Sequence, residues 1–306
     1  MTATPLFVSS GDLVLDRRYN WALNFLDRGD VVAATDVLQQ LIEAAPDFAT
    51  AWFALGAVRA RLGDRNGAIV AFGAAREADT EDHLGAGLHL ARLGVGEATP
   101  SMSAQYVRRL FDQHATGFDE ALVERLDYRG PQIIKATLEA LADGPLQFGS
   151  VLDLGCGTGL GGAAFRELCD RLVGVDVSGG MIEQAEAKAV YDKLVVAELS
   201  DYLAASAGAR HDLVIAADVF VYCRDLGPIA SAVAGVLARG GLFAFTVENL
   251  DGTGVVLRES LRYAHSSDHV RAAIAAAGME LKCVDSVSTR TERGEPVDGL
   301  VVVASR

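Results

Sequence analysis

The sequence predicts an α/β protein: a mostly parallel seven-stranded sheet covered by helices, preceded by an all-helical N-terminal domain. Three observations predict it. A helical pattern repeats at a 34-residue offset between Leu26 and Glu81. From Ser150 onward, short apolar runs alternate with helical patterns. A glycine-rich turn leaves the first of those runs, and the second run ends in a carboxylate, Asp176. Length and composition agree: 306 residues suggest two domains, and 50% hydrophobic residues supply a sizeable core. The 32 glycines carry no collagen period and the prolines number only seven, so the chain is neither fibrous nor low in complexity.

Charge removes whole classes of function. Lys plus Arg is 27 and Asp plus Glu is 41, a net charge of −14. Nucleic acids and anionic membrane surfaces both need clustered cations, so neither is an expected partner. Cys156, Cys169, Cys223 and Cys283 are scattered without a Cys-x-x-Cys pair, which leaves no metal-ligand spacing. Reduced thiols in a cytoplasmic protein are expected. The start, MTATPLFVSSGDLVLDRR, lacks the basic-then-apolar pattern of a signal peptide. Apolar runs such as Leu300 to Ala304 are too short to span a bilayer.

The N-terminal elements follow from the repeat. Set at an offset of 34, Gly29 falls on Gly63, Asp30 on Asp64, Ala34 on Ala68 and Leu38 on Phe72. With Trp52, Leu55, Gly56 and Ala75 at the packing positions and Pro46 closing the first unit, this stretch resembles the tetratricopeptide repeat. Gly56 and Ala68 are small, so antiparallel helices approach closely there; Trp52 and Phe72 fill the gap between repeats. Thr80 and Arg59 depart from the pattern. A third helix, His83 to Leu93, caps the array. Two repeats and a cap serve either as a protein-docking surface or as a helical scaffold with no binding role.

GVGEATPSMS, residues 94 to 103, reads as a linker. Ala104 to Ala142 is patterned as helices, with Tyr106, Val107, Leu110 and Phe111 at helical spacing. Strand candidates then run VLDL, LVGVDV, KLVVAEL, HDLVIAADVF and GGLFAFTVE. Their apolar runs lack strict alternation, which marks parallel strands buried on both faces. MELKCVDSV and GLVVVAS, joined by the polar turn TRTERGEPVDG, predict an antiparallel pair at the sheet's edge.

Chemistry concentrates at VLDLGCGTGLGG, residues 151 to 162. Glycines leaving a parallel strand let backbone approach a ligand with no Cβ in the way. Asp176, at the end of the second strand, suits both hydroxyls of a ribose. The spacing is G-x-G-x-G rather than the G-x-G-x-x-G of dinucleotide folds, which argues against NAD. D-L-G-C-G-T-G followed by V-D-V-S-G-G-M-I-E-Q-A resembles the class I S-adenosylmethionine-dependent methyltransferases, over about residues 104 to 306. The resemblance implies a Rossmann-like seven-stranded methyltransferase sheet with S-adenosyl-L-methionine as cofactor. By position, it implies that Asp153 orients the loop and faces the methionine ammonium, directly or through water. Gly155, Gly157 and Gly159 pass under the cofactor, and Asp176 holds its ribose. Val177 and Met181 pack on adenine or ribose, with a core role open for Met181. Glu198 and Leu199 flank the adenine, and Ala216, Ala217 and Asp218 line the methionine side.

Two segments are left to form the acceptor side. Phe111–Asp112 and Phe118–Asp119 resemble the lid helices of small-molecule methyltransferases, which makes Tyr106 and Phe111 either cofactor-covering or core residues. Glu248 stands at the end of the fifth strand, and His265 lies in the R-Y-A-H-S segment, read as a linker. His265 is the candidate base and Glu248 the second candidate catalytic residue. His265 has a core or capping role as its alternative. His114 is a lesser base, and a carboxylate acceptor would need none, leaving His265, Arg262 or Arg258 to bind its charge. No metal site is expected. The strand-four ending A-A-D-V-F lacks the N/D-P-P-Y/F motif of amino-group methylation, which favours oxygen. The whole chain resembles bacterial methyltransferases that carry tetratricopeptide repeats.

The expected organisation is repeats over 1–96, linker and lid over 97–145, and the methyltransferase domain over 146–306. The expected function is methyl transfer to a small-molecule or carrier-borne acceptor, O-methylation favoured. The alternatives are a protein or peptide methyltransferase whose repeats present the substrate, and an interaction protein with a cofactor-sensing fold.

Overall fold

The computed structural model describes residues 6–96, 101–120, 122 and 126–306. The chain divides into two compact units, Met1–Arg109 and Leu110–Arg306. The segment read as 97–145 is thereby split between them. Residues 1–5 of the N-terminal reading, 97–100 of the linker, and 121 and 123–125 of the lid lie outside the described residues.

The first unit is built of helices: α1 (Leu13–Asp27), α2 (Val31–Ala44), α3 (Ala49–Arg61), α4 (Arg65–Ala78), α5 (Ala86–Arg92) and the first half of α6 (Ala104–His114). The 34-residue offset recurs in the capping chemistry. Gly29 and Gly63 both turn at φ 79°. Asp30 and Asp64 then cap α2 and α4, accepting from the amides of Ala33 at 3.1 Å and Gly67 at 2.9 Å. A β-carbon on Gly56 would meet the Phe72 ring at 2.8 Å, so the close approach of α3 and α4 depends on glycine there. Phe72 is fully buried and stacks on His89 at 4.6 Å. Trp52 anchors its indole N–H on the Pro46 carbonyl at 2.7 Å.

The second unit alternates strand and helix. In order come α7 (Gly130–Leu141), β1 (Phe148–Leu154), α8 (Leu160–Phe165), β2 (Cys169–Asp176), α9 (Gly179–Ala187), β3 (Lys193–Val196), α10 (Leu199–Ala205), β4 (His211–Ala216), α11 (Gly227–Val236) and β5 (Leu237–Asn249). After them come β6 (Val255–Leu257), β7 (Tyr263–His265), α12 (Ser267–Ala276), β8 (Glu280–Val287), β9 (Thr291–Glu292), β10 (Glu295–Pro296) and β11 (Gly299–Ser305). The main sheet runs β3-β2-β1-β4-β5-β11-β8, parallel through β5, with β11 antiparallel to both neighbours. Alternate residues feed two cores. Leu152, Val173, Val214 and Phe245 meet α11 and α12 on one face. Val151, Leu172, Leu213 and Val303 meet Ile134, Leu138 and Phe165 on the other. The strand order reverses between β1 and β4, which puts a crevice at the carboxyl ends of those strands.

The expected antiparallel pair stands at the end of the sheet, with β11 between β5 and the edge strand β8. Burial explains it, because six consecutive residues of β11 are buried, whereas β8 alternates with exposed positions. The segment around His265 is not a linker. Tyr263–His265 forms β7, which pairs in parallel with Glu248 and Asn249 at the end of β5. Three residues are too few for a strand pattern to register in sequence. Among the described residues, no helix is long and apolar enough to cross a membrane.

Candidate active site

The glycine loop is hung from β2. The amides of Gly155 and Cys156 both donate to the Val175 carbonyl, at 2.8 and 3.0 Å. Gly155, Gly157 and Gly159 all have positive φ, yet their surroundings differ. A β-carbon on Gly155 would come within 2.6 Å of Val219, and one on Gly159 within 3.1 Å of Tyr191. One on Gly157 would meet nothing within 4 Å. The first and third glycines therefore serve packing, and the second bares its backbone to the crevice. Asp176 bridges that backbone to the next helix: Oδ2 accepts from the Gly157 amide and Oδ1 from the Ser178 amide, both at 2.9 Å. Burial raises its pKa, with Asp112 adding to the effect, against the amides of Ser178, Gly157 and Val177 that lower it. A carboxylate so held has fixed direction and retains lone pairs for a pair of ligand hydroxyls.

Asp153 faces elsewhere than expected. Its Oδ2 accepts from the Tyr191 hydroxyl at 2.7 Å, and that hydroxyl accepts from the Gly162 amide at 3.0 Å. A β-carbon on Gly161 would lie 2.5 Å from Oδ2. The carboxyl group is thus turned into the first turn of α8 and is 2% exposed. Burial pushes its pKa up to about 7, offset in part by Tyr191 and reinforced by Asp176. It braces the loop; it does not front the open side.

The other expected cofactor residues separate. Val177 is half-buried beside Asp176. Met181 and Ala216 have no exposed side chain, so both belong to the core and are withdrawn as side-chain contacts. Glu198 is the N-cap of α10, its Oε2 accepting from the Asp201 amide at 3.0 Å, which leaves further lone pairs on the carboxylate. Leu199 packs partly into the main core. Tyr106 belongs to the N-terminal unit, buried against Gly85, and is corrected to a packing residue there. Phe111 belongs to the second unit and meets Tyr222 edge-on at 5.5 Å and Phe118 at 6.0 Å. His114 bonds the Leu110 carbonyl within its own helix.

Both expected catalytic residues are corrected. Glu248, 3% exposed, is bonded to Arg290 and lies 3.7 Å from Arg258 and 3.9 Å from Arg262. Its carboxylate is committed to guanidinium partners. His265 is fully buried and hydrogen-bonds the Cys223 carbonyl through Nε2 at 2.9 Å. Burial drives its pKa down to about 4, with His269 adding to the effect against the carbonyl bonds. It is a neutral core histidine. Its stabilising contribution is present above the unfolded value of about 6.5 and is lost as pH falls from there toward about 4. His265→Ala is expected to lower the melting temperature and flatten that acid-side loss, with the pH–rate profile between pH 6 and 9 unchanged in shape. Loss of one limb of the profile would restore it as the base.

The ends of β4 and β5 hold a network that sequence reasoning missed. Arg290, 4% exposed, joins Glu248 to Asp218 at 2.9 Å and Glu292 at 3.2 Å. Asp218, at the end of β4, is held at φ 57° by Thr246 at 2.7 Å and Thr289 at 2.9 Å. Arg290 sits in the stretch read as a polar turn. The clue was two carboxylates, Asp218 and Glu248, at the ends of adjacent buried strands, which demand a counter-charge. Tyr128 adjoins this network: burial, with Asp218 and Asp153 nearby, raises its pKa well above the ordinary phenol value. Among the described residues, no group of three or more His, Cys, Asp or Glu could hold a metal ion.

Part of the chain is similar to known proteins. Residues 152–245 match the methyltransferase domain family. Over 110 residues the chain is 33% identical to human methyltransferase-like protein 27, covering 36% of this chain and 44% of the relative. Over 97 residues it is 32% identical to the malonyl-[acyl-carrier protein] O-methyltransferase of Pseudescherichia vulneris, covering 32% and 38%. The chain thus spans less than half the length of these curated relatives. The 1,6-didemethyltoxoflavin-N1-methyltransferase of Burkholderia thailandensis, solved with S-adenosylhomocysteine, superposes with a TM-score of 0.53 at 20% identity, covering 69% of this chain and 92% of that one. With its strand order, its glycine loop and the carboxylate after β2, the second unit has the fold of the class I methyltransferases, whose cofactor is S-adenosylmethionine.

Proposed function

We propose that this chain transfers the methyl group of S-adenosylmethionine to an oxygen of a small or carrier-borne acceptor, and that the oxygen belongs to a carboxylate. The observation that carries the first part is Asp176, bridging the amides of Gly157 and Ser178 where the space beside Gly157 is open. Asp176 would hold the ribose hydroxyls, the backbone at Gly157 would pass under the cofactor, and Val177 would border it. The cofactor, when bound, supplies an electrophilic methyl group. The chain's task is then to align the acceptor and exclude water. Phe111, which meets Phe118 and Tyr222 edge-on, would help to exclude it.

The acceptor class rests on the acceptor-side chemistry. His265 is neutral and enclosed, and Glu248 is neutralised, so an acceptor arriving already ionised fits better than an alcohol. Arg258 and Arg262 keep 37% and 27% of their side chains exposed and can meet a carboxylate. The O-methyltransferase relative adds support. The recurrence of caps at a 34-residue offset favours a tetratricopeptide reading of the first unit, which would dock a carrier or other protein. Four free cysteines suit a cytoplasmic setting.

Calorimetry with S-adenosylmethionine and S-adenosylhomocysteine tests the cofactor. Transfer of labelled methyl to a panel of carboxylic acids and acyl-carrier thioesters tests the acceptor. The expected product is an ester that releases labelled methanol in mild base. A base-stable methyl product overturns the carboxylate assignment, and absence of cofactor binding overturns the whole proposal.

A further inference from the structure

The two carboxylates of the Phe111–Asp112 and Phe118–Asp119 pairs bond a partner of Asp176 or a residue next to one: Asp119 takes Thr158, and Asp112 takes Ser178 and the Gly180 amide. Asp176 itself holds Gly157 with one oxygen and Ser178 with the other. One residue past Gly157, the Thr158 hydroxyl donates to Asp119 Oδ1. Lys188 closes that side, donating to Asp119 Oδ2 at 2.5 Å and to the Thr158 carbonyl at 2.7 Å. On the other side, the Ser178 hydroxyl donates to Asp112 Oδ1 at 2.5 Å while accepting from the Met181 amide as the cap of α9. The Gly180 amide also donates to Asp112 Oδ1, at 3.2 Å, and the alanine-sized space at Gly180 is closed by Ala115 at 3.1 Å.

We propose that Asp112 and Asp119 are positioning residues that strap residues 111–119 across the cofactor site, and that they set how long the cofactor stays bound. The inference rests on the cofactor reading above. Its logic is reciprocal. A ribose drawn onto Asp176 fixes Gly157 and Ser178, and so aligns the neighbouring Thr158 and Ser178 hydroxyls for the strap. A fastened strap holds the same two groups for the ribose. The strap bonds are also suited to opening. Asp112 is exposed, and the Asp119–Lys188 pair keeps 37% and 26% of its side chains in solvent. Exposed pairs of this kind add little to the stability of a fold. Their placement at both flanks of one carboxylate is better explained by residence of a ligand than by folding.

The test is displacement of S-adenosylhomocysteine from the full chain, followed by stopped flow, with melting of the ligand-free protein as control. Asp119→Asn and Asp112→Asn are each expected to raise the dissociation rate about tenfold, with the association rate changed far less. Asp119→Asn and Lys188→Gln should be non-additive in that rate, since they break one latch. In turnover, the cofactor KM should rise with kcat nearly constant. If the wild-type chain binds no S-adenosylhomocysteine, the cofactor reading falls and the strap with it. If the wild type binds and both aspartate variants release at its rate, the strap alone is overturned. Ligand-free variants that no longer fold would overturn it too, in favour of a purely structural role for the two aspartates.

Discussion

Asp176→Ala should weaken binding of both S-adenosylmethionine and S-adenosylhomocysteine by about a hundredfold or more, the loss of about 3 kcal/mol expected for two hydrogen bonds to a charged acceptor. The argument has two parts. The ribose loses an acceptor that can serve both hydroxyls at once. The Gly157 and Ser178 amides lose the carboxylate that spaces the glycine loop from α9. Asp176→Asn separates these parts, because an amide oxygen can keep one backbone bond while its NH2 group repels the other donor. It should fall between wild type and Asp176→Ala. Calorimetric titration reads all three proteins directly. Affinity within threefold of wild type for Asp176→Ala would remove Asp176 from the cofactor site.

Much of this site was legible because its chemistry is local in sequence. The turn from β1 needs glycine at positive φ, and Gly155, Gly157 and Gly159 announce it. Asp176 is announced by ending a buried apolar run. The parallel order through β5 followed from strands without polar alternation. What stayed hidden depends on partners distant in sequence. Nothing near Asp153 says that Tyr191 will turn its carboxyl group into α8. His265 reads as an available base because the chain around it looks like a loop; its burial follows from pairing with β5, which three residues cannot signal. Glu248 looks like a free carboxylate until Arg290 arrives from 42 residues away. The antiparallel pair that ends the sheet was read from its two apolar runs, and the order within it was recoverable in principle. A run as uniformly apolar as GLVVVAS belongs inside a sheet, and the alternating MELKCVDSV belongs at its edge.

Arg290→Met should be the most destabilising single change on the acceptor side, by about 3–5 kcal/mol, the usual cost of removing one partner from a buried ion pair. The side chain is 3% exposed and bonds both Asp218 and Glu248, which are themselves 16% and 4% exposed. Three arginines, Arg258, Arg262 and Arg290, face three carboxylates, Asp218, Glu248 and Glu292. Taking one cation away leaves the network with excess negative charge where water cannot repair it. Arg258 and Arg262 reach Glu248 only at 3.7 and 3.9 Å and do not approach Asp218 in the same way, so they replace the lost bonds poorly. The double change Arg290→Met with Glu248→Gln should recover part of the loss, because it removes the stranded charge along with its partner. Urea unfolding of the single and double variants measures both effects. A single-variant loss below about 1 kcal/mol would mean that solvent reaches the cluster and that the pairs behave as surface salt bridges. The activity of folded Arg290→Met then bears on the acceptor. An excess negative charge beside the proposed carboxylate site should raise the KM for an anionic acceptor and spare the cofactor KM, whereas equal rises in both would place the network's role in the sheet rather than in acceptor binding.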